Sequence, residues 1–589
     1  MTVDIQDLPH DTAYNNPFFE ELKLHKLGRI HVGTPKPIAF TVGLHPVLTP
    51  EGDITHLALS HNSSIQPIFS FSDIVEILCH EYGTHFLYVV YEAWAIDSLL
   101  KFLPLKALTH LYEKGHLYFE GVQIWYTPGR KLTLVSEGKE ARIHVIGTWS
   151  KRLNLRKACR RAGFRYADGD LLGMAAALKG LGDALLERVR EFLGRAWGDL
   201  STPSVLTKQA LSQDLKKVDI KGIPEGALQM SYSCLHAPWI EIMAQGFFPK
   251  VYDYDLNSAY PSEIAKLIIC DERAGEWIQS SEYVEGAKYG FAECIVTMRA
   301  GPGEVSPIRF RRGTGQLFSP FGMWVAYLTK GEIDFISKWK LGYVDILTGW
   351  WFVPSEEVHP FVRTVERLVE LRRTSRDPVL KAMMKSVAVR MNGHFLQKLE
   401  VLSFEGGKSD WVAGPMFSPV YACEVMTQTK LKLAEMGMEA TRRGGKVLAV
   451  SVDGLVTTVG LGKKKDRKLE AKSPAIIAAP LIMHLEDREG RYNLLKALWD
   501  DPNREHYKLG EDKRIEMREA LLLGRPELIG KLEDSPIRIR VGADISRIWT
   551  DIPTRGEHLL TKRYYGKQPP IEYCLLNSQS RRSSYSELY

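Results

Sequence analysis

Pro249-Lys-Val-Tyr-Asp-Tyr-Asp-Leu-Asn-Ser-Ala-Tyr-Pro-Ser262 is the stretch on which the reading of this chain turns. Val251 to Asp255 has strand character, with Val251, Asp253 and Asp255 on one side and Tyr252 and Tyr254 on the other, because successive side chains alternate across a strand. Asp255-Leu-Asn-Ser258 interrupts it, and Pro261 suits the first turn of a helix running through Ala265-Lys-Leu-Ile-Ile269. A carboxylate therefore ends a strand just before a helix N-terminus, a position that suits a metal or phosphate site. An aspartate so placed also serves simply to cap the following turn, and the stretch alone leaves both readings open.

Working outward, Val447-Leu-Ala-Val-Ser-Val452 and Leu455-Val-Thr-Thr-Val459 are β-rich runs separated by Asp453-Gly454, a two-residue hairpin signal that puts Asp453 at or beside the tip. Most Asp-Gly hairpins only turn. Two carboxylates, each at the end of an apolar strand, carry more weight when a basic helix lies between them in sequence. That helix is announced by Asp377-Pro378 and carries Lys381 and Lys385 four residues apart on one face. The preceding segment, His359 to Arg373, also has helical spacing, so Thr374 to Asp377 reads as the tip of a helical hairpin on which Arg373, Lys381 and Lys385 converge. Nucleotidyl transfer needs cations for a triphosphate and acids for the metal ions that bridge nucleophile and leaving group. A solvated basic face is the plain alternative.

Composition bounds these readings. At roughly 150 residues per domain, a chain of 589 residues holds several domains, which excludes a single small module. Lys and Arg number 77 against 71 Asp and Glu, and a net +6 over this length permits a nucleic-acid partner without demanding one. No stretch approaches the roughly 18 apolar residues of a membrane span, and Met1 to Leu8 lacks a signal-peptide pattern. The expectation is a soluble cytoplasmic protein without a membrane partner. The 7 cysteines are scattered, which predicts buried reduced thiols and argues against zinc ribbons or Cys-x-x-Cys chemistry. Ile54 to Ser60, Thr84 to Tyr91 and Lys131 to Val135 read as strands, and Asp97 to Leu108 and Leu171 to Arg195 as helices, making the first part an α/β domain. A polar connector, Ser201 to Gly226, marks its boundary.

The motif residues resemble family B DNA polymerases, particularly the short protein-primed type of phages and linear plasmids. Asp255-Leu-Asn-Ser-Ala-Tyr-Pro-Ser262 is similar to that family's first palm motif, Asp-x-x-Ser-Leu-Tyr-Pro-Ser. The resemblance assigns Asp255 and the Leu256 carbonyl to metal, Ser258 and Ala259 to incoming phosphates, and Tyr260 to the gate that rejects a ribose 2′-hydroxyl. Asp453 falls at the second Asp of the third motif, Tyr-x-Asp-Thr-Asp-Ser, here Ala449-Val-Ser-Val-Asp-Gly454, with Ser451 in place of the first. Asp255 and Asp453 are then the catalytic ligands of two Mg2+ ions, for which Mn2+ can substitute. Lys385 matches the lysine of the fingers motif Lys-x-x-x-Asn-Ser-x-Tyr-Gly; Asn392 takes the place of the tyrosine beside the nascent base pair, and Gly393 follows it as a DNA-facing residue.

The fold class implied is α/β and α+β multidomain, an RNase H-like exonuclease-type domain followed by a right-hand polymerase of palm, fingers and thumb. The expected segments are 1–195 exonuclease-like, 196–246 connector, 247–354 first palm part with an insertion, 355–393 fingers, 394–460 second palm part with a short insertion, 461–576 thumb and 577–589 a flexible tail. The exonuclease Asp-x-Glu aligns with Thr41-Val-Gly43, so both carboxylates are absent; Asp97, Tyr166 and Asp170 fit its remaining motifs, and proofreading is expected to be lost. Lys562 and Tyr564 are candidates for the family's Lys-x-Tyr primer contact. The expected partners are primer-template DNA, dNTPs and a terminal protein as candidate primer, with the enzyme a monomer in the host cytoplasm if phage-encoded. The rival reading is a replication scaffold that binds DNA but has lost synthesis.

Overall fold

The protein is seen in a computed structural model that describes residues 8, 10–11, 38–50, 53–81, 86–150, 155–165, 170–195, 198–215, 222–236, 238–243, 246–298, 305–311, 317–319, 322–374, 378–402, 409–414, 416–462, 464, 466–477, 482–487 and 537–541. It divides into an N-terminal unit, Gly28–Lys217 with Phe361–His394, and a central unit, Met1–Leu27 with Val218–Pro360 and Phe395–Tyr589.

In the N-terminal unit, β1 (Phe40–Leu48), β2 (Ile54–Leu59), β3 (Ser64–Pro67), β4 (Phe86–Val90), β5 (His116–Phe119), β6 (Val122–Thr127), β7 (Lys131–Ser136) and β8 (Lys139–Val145) form one sheet in the order β3-β2-β1-β4-β8-β7-β6-β5. β1, β4 and β8 are parallel and the flanking pairs antiparallel. The helices are α1 (Phe71–Val75), α2 (Ala93–Leu100), α3 (Leu105–Lys114), α4 (Leu155–Arg161), α5 (Leu171–Leu193) and α6 (Pro203–Leu215). α2 and α3 replace the single helix expected over Asp97 to Leu108, because Pro104 cannot continue a helix and instead stands at the N-cap of α3. The expected polar connector contains α6, which opens on Pro203 and buries Leu206, Ala210 and Leu211 at helical spacing.

The central unit holds α7 (Glu225–Ser233), β9 (Ile240–Ile242), β10 (Gly246–Leu256), α8 (Ala259–Ile264), β11 (Gly275–Ser280), β12 (Tyr289–Met298), β13 (Phe310–Arg311), β14 (Leu317–Phe318), β15 (Gly322–Thr329), α9 (Lys330–Trp339) and β16 (Gly342–Pro354). The chain then forms the hairpin α10 (Val362–Thr374) and α11 (Pro378–His394), which packs with the N-terminal unit: His394 Nε2 meets Ser204 Oγ of α6 at 3.2 Å. It continues as β17 (Lys398–Leu402), β18 (Ser409–Ala413), α12 (Pro419–Arg442), β19 (Val447–Ser451), β20 (Gly454–Thr457), β21 (Arg467–Ile477), β22 (Ile482–Asp487) and β23 (Ile537–Val541).

Two sheets organise the central unit, β23-β22-β21-β10-β20-β19-β9 and β11-β16-β12-β15. Ser418 caps α12 and Pro419 opens it; its Leu433, Ala434 and Met436 share a core with Leu448, Val450 and Leu455 of the larger sheet. β21, expected within the thumb segment, lies beside β10 in that sheet. α8 ends at Ile264 and does not run on to Ile269, because the amides of Ile268 and Ile269 are taken by Tyr289 Oη and the Val358 carbonyl. The cysteines at 79, 159, 234, 270, 294 and 423 are free and buried, as expected. Among the described residues, no helix is long and apolar enough to cross a membrane.

Candidate active site

β10 and β20 run antiparallel with Asp255 opposite Gly454, and the Leu256 amide donates to the Asp453 carbonyl at 2.9 Å. The two aspartates thus stand at adjacent strand ends, both half-buried. Ser451 pairs with Gly454, so the central residues of the turn are Val452 and Asp453, one position earlier than the Asp-Gly signal indicates. Val452, the first central residue, has φ 58°, a region that glycine normally occupies. A β-branched residue at positive φ is a backbone outlier, costing on the order of 1–2 kcal/mol. The tip is held nonetheless, because the Val452 amide donates at 2.9 Å to the carbonyl of the buried Trp239. Ser258 at the start of α8 is also left-handed, with φ 51°. Ala259 behind it is buried and Tyr260 half-buried.

On the other side of β10, Asp255 is in register with Lys468 and Leu256 with Arg467, and the Asn257 amide donates to the Asp466 carbonyl at 2.9 Å. Lys468 is exposed. Nothing local in the lysine-rich run announces this pairing, which only the folded sheet supplies. Asp253, two residues before Asp255, is buried.

Among the described residues, no group of three or more His, Cys, Asp or Glu forms a metal cage. Mg2+ does not ask for one, since it keeps several waters and is usually bound through one or two carboxylates plus substrate phosphates. Asp255, Asp453 and the backbone carbonyl of Leu256 match that hard-oxygen set in chemistry and number. Ser451, at the end of β19, adds no carboxylate.

On α11, Lys381, Lys385, Val389 and Gly393 are exposed at intervals of four residues while Met384, Ala388 and Met391 are buried, so the two lysines lie on one open stripe. Val389, at the Asn position of the fingers motif, shares that stripe. A Cβ at Gly393 meets nothing within 4 Å. Asn392 is buried, and its Oδ1 has no hydrogen-bond partner among the described residues. Arg373, at the end of α10, is exposed and donates to Glu370 at 2.7 Å.

The exonuclease-type positions have a different environment. Thr41 and Gly43 lie on β1 under α5, and both the Thr41 amide and hydroxyl are bonded to Asp183 Oδ1, at 2.6 and 2.8 Å. Lys179, one turn earlier on α5, donates to Asp183 Oδ2 at 2.6 Å. A Cβ on Gly43 falls 1.8 Å from the Ala175 carbonyl oxygen, so the helix backbone occupies the space a side chain needs. Asp183 and Lys179 carry no motif that sequence reading could have caught. Asp97 accepts from Tyr126 Oη at 2.5 Å, and Asp170 caps α5 through Gly173 N at 2.9 Å. Tyr166, Lys562 and Tyr564 lie outside the described residues.

No protein-family model and no curated protein sequence matches the chain. Solved structures do. Phi29 DNA polymerase in its ternary complex with primer-template DNA and incoming nucleotide substrates aligns at a TM-score of 0.52 and 12% identity, over 76% of this chain and 88% of that one. Its complex with single-stranded DNA aligns at 0.53 and 10%, over 76% and 87%. The binary primer-template complex aligns at 0.53 and 11%, over the same shares. At such identity the likeness is one of fold, and the mixed α/β chain is similar in fold to phi29 DNA polymerase, a protein-primed family B enzyme.

Proposed function

We propose that the protein is a template-directed DNA polymerase that extends a primer hydroxyl with deoxynucleotides, and that its N-terminal unit keeps the outline of a 3′-5′ exonuclease without the activity. The observation that carries this is the side-by-side placement of Asp255 and Asp453, locked by the bond from Leu256 N to the Asp453 carbonyl, in a chain with the fold of phi29 DNA polymerase. Primer-template DNA and nucleotides, held by that enzyme in its solved complexes, are assigned as partners here too.

Asp255, Asp453 and the Leu256 carbonyl would hold Mg2+, which when bound supplies activation of the primer hydroxyl and charge neutralisation on the departing pyrophosphate. The chain's own contribution is positioning and electrostatics. Ser258 and Ala259 receive phosphates on the backbone ahead of α8, and Tyr260 lies under the sugar and excludes a 2′-hydroxyl. Lys381 and Lys385, with Arg373, offset polyphosphate charge. Asn392 and Gly393 border the nascent pair. Lys468 adds a cation in register with Asp255 for the nucleic-acid backbone, alongside the contacts assigned to Lys562 and Tyr564. Between Asp255 and Lys385 the chain carries, besides helices, the β11-β16-β12-β15 sheet and the antiparallel β13–β14 pair, which supports an insertion of the kind that holds a terminal protein.

The test is extension of a labelled primer on a longer template with Mg2+ and four dNTPs, with a second reaction lacking dNTPs. Growth of the primer in the first and no shortening in the second is the expected result. Absence of growth with Mg2+ or Mn2+, while template is bound, favours the scaffold reading to which Ser451 points. Shortening overturns the loss of exonuclease activity.

A further inference from the structure

The reading of Asp255 and Asp453 as metal-holding carboxylates leaves open what fixes the backbone of Asp255 and Leu256 on the side away from the hairpin tip. The structure assigns this to Arg467, which we infer to be a positioning residue acting through the loop from Leu461 to Arg467; the inference rests on the polymerase reading above.

Arg467 is a buried guanidinium at the start of β21, directly opposite Leu256. Its Nη1 donates to Glu439 Oε2 at 2.8 Å and its Nη2 to Glu439 Oε1 at 3.2 Å, a two-pronged grip on α12. Nη2 also donates to the Leu461 carbonyl, and Nε to the Gly462 carbonyl at 3.4 Å, so one side chain gathers the loop and the helix. The guanidinium lies 5.7 Å from the ring centre of Tyr254, the residue before Asp255. Tyr254 Oη in turn accepts from the Leu461 amide at 2.7 Å. At the far end of the loop the Asp466 carbonyl takes the Asn257 amide. The backbone that follows Asp255 is therefore pinned by two carbonyls, Asp453 for Leu256 and Asp466 for Asn257, and Arg467 is what holds the second in place.

The choice of arginine follows from this geometry. Lysine carries the same charge but lacks the planar fork that meets both Glu439 oxygens while reaching two loop carbonyls. Glu439 is itself a hub, accepting from Arg443 Nη2 at 2.7 Å and Lys464 Nζ at 3.3 Å. Groups that orient metal ligands without touching the metal typically change metal affinity or activity about 10–100-fold when altered.

The test uses the full-length chain. Binding of Mn2+ alone is followed by electron paramagnetic resonance, and primer extension is read as kcat, as KM for dNTP and as the Mg2+ concentration giving half-maximal rate. Arg467→Lys is expected to weaken Mn2+ binding and to lower kcat, each about ten-fold or more, with a raised Mg2+ requirement, unchanged KM for dNTP and unchanged primer-template affinity. Glu439→Gln shifts both quantities the same way and answers the question if Arg467→Lys does not fold. Wild-type Mn2+ binding and kcat in the folded variants overturn the inference. So does a loss of rate that only tracks the loss of folded protein, with the Mg2+ requirement unmoved. Asp453→Ala separates the two levels: if the wild type neither binds Mn2+ at a site lost in Asp453→Ala nor extends a primer, the reading of the centre itself fails. If Asp453→Ala loses both and Arg467→Lys neither, only the role of Arg467 falls.

Discussion

β10 in the central unit and β1 in the N-terminal unit each carry positions that match carboxylate-bearing motifs of family B polymerases, and the two have been built in opposite ways. At the end of β10 the carboxylates are present, half-buried, and flanked by backbone in costly conformations at Val452 and Ser258. On β1 they are absent; Thr41 is fully buried and α5 rests on Gly43. The acid nearest Thr41, Asp183, is neutralised from its own helix by Lys179 and saturated by the Thr41 amide and hydroxyl. On the polymerase reading proposed above, a surface that admits ions and a substrate tolerates strain and leaves acids partly solvated, whereas one without that demand packs down.

The largest effect that separates the two regions is on synthesis. Asp453→Ala or Asp255→Asn should lower kcat for primer extension by roughly a thousand-fold or more, with DNA retention in a mobility-shift assay and the thermal transition unchanged. Extension at near wild-type rate in either variant would remove the β10 end from the chemistry and leave both regions as scaffolding.

Attempting to rebuild the other region is the next largest effect. Thr41→Asp with Gly43→Glu restores the expected tripeptide, but the added Cβ at Gly43 meets the Ala175 carbonyl, and α5 has to move. Gly43→Ala alone should cost roughly 1–3 kcal/mol or more, read as an earlier unfolding of the N-terminal unit by differential scanning calorimetry, and the double variant should shorten no primer. A stable double variant that degrades single-stranded DNA would show that α5 yields and that the site is dormant rather than filled.

Much of the central site was legible because its signals are local. Asp255-Leu-Asn-Ser-Ala-Tyr-Pro-Ser262 and the Asp453-Gly454 hairpin announce a strand end and a turn within a dozen residues, and the structure sets them side by side. What escaped depends on partners distant in sequence. Lys468 reaches Asp255 only through the β10–β21 register, and Asp183 reaches Thr41 across 142 residues. The break between α2 and α3 was readable in Pro104, yet the apolar spacing on both sides suggested one helix. The polar composition of Ser201 to Gly226 suggested a connector, yet α6 buries Thr207 and Gln209 together with Leu206, Ala210 and Leu211. The turn falls one residue earlier than Asp-Gly signals, because Ser451 pairs with Gly454 and the fold imposes a positive φ on Val452.

A third, smaller test contrasts how the two units treat a hidden acid. Where Asp183 has Lys179, the half-buried Glu424 of α12 has Glu263 nearby; burial first, with Glu263 adding to it against the bond from Gln428, pushes its carboxyl up to about 7. The folded value lies above the ordinary 4.5, so this group's contribution is full below that value and is lost as pH rises through about 7. Glu424→Gln keeps an acceptor for Gln428 and removes the titration. Relative to wild type it should gain roughly 1–3 kcal/mol at pH 8.5 and nothing at pH 4, measured by chemical denaturation. A parallel pH dependence in the two proteins would place the titration elsewhere.

The smallest effect probes whether the strain at the hairpin tip belongs to the site. Val452→Gly removes a left-handed penalty of about 1–2 kcal/mol and gives back about 0.5–1 kcal/mol through the greater freedom of glycine when unfolded. The net gain should be about 0.5–1 kcal/mol, a rise of one to a few degrees in the transition of the central unit. Val452→Ala keeps the penalty and should gain nothing. If the valine fixes the tip so that Asp453 stays beside Asp255, the more stable glycine variant should be the slower polymerase, with kcat reduced a few-fold and KM for dNTP unmoved. Equal rates would mean that the bonds from Leu256 N to the Asp453 carbonyl and from Val452 N to the Trp239 carbonyl already fix the tip, and that its strain follows from the packing of β19 rather than from the demands of the two carboxylates.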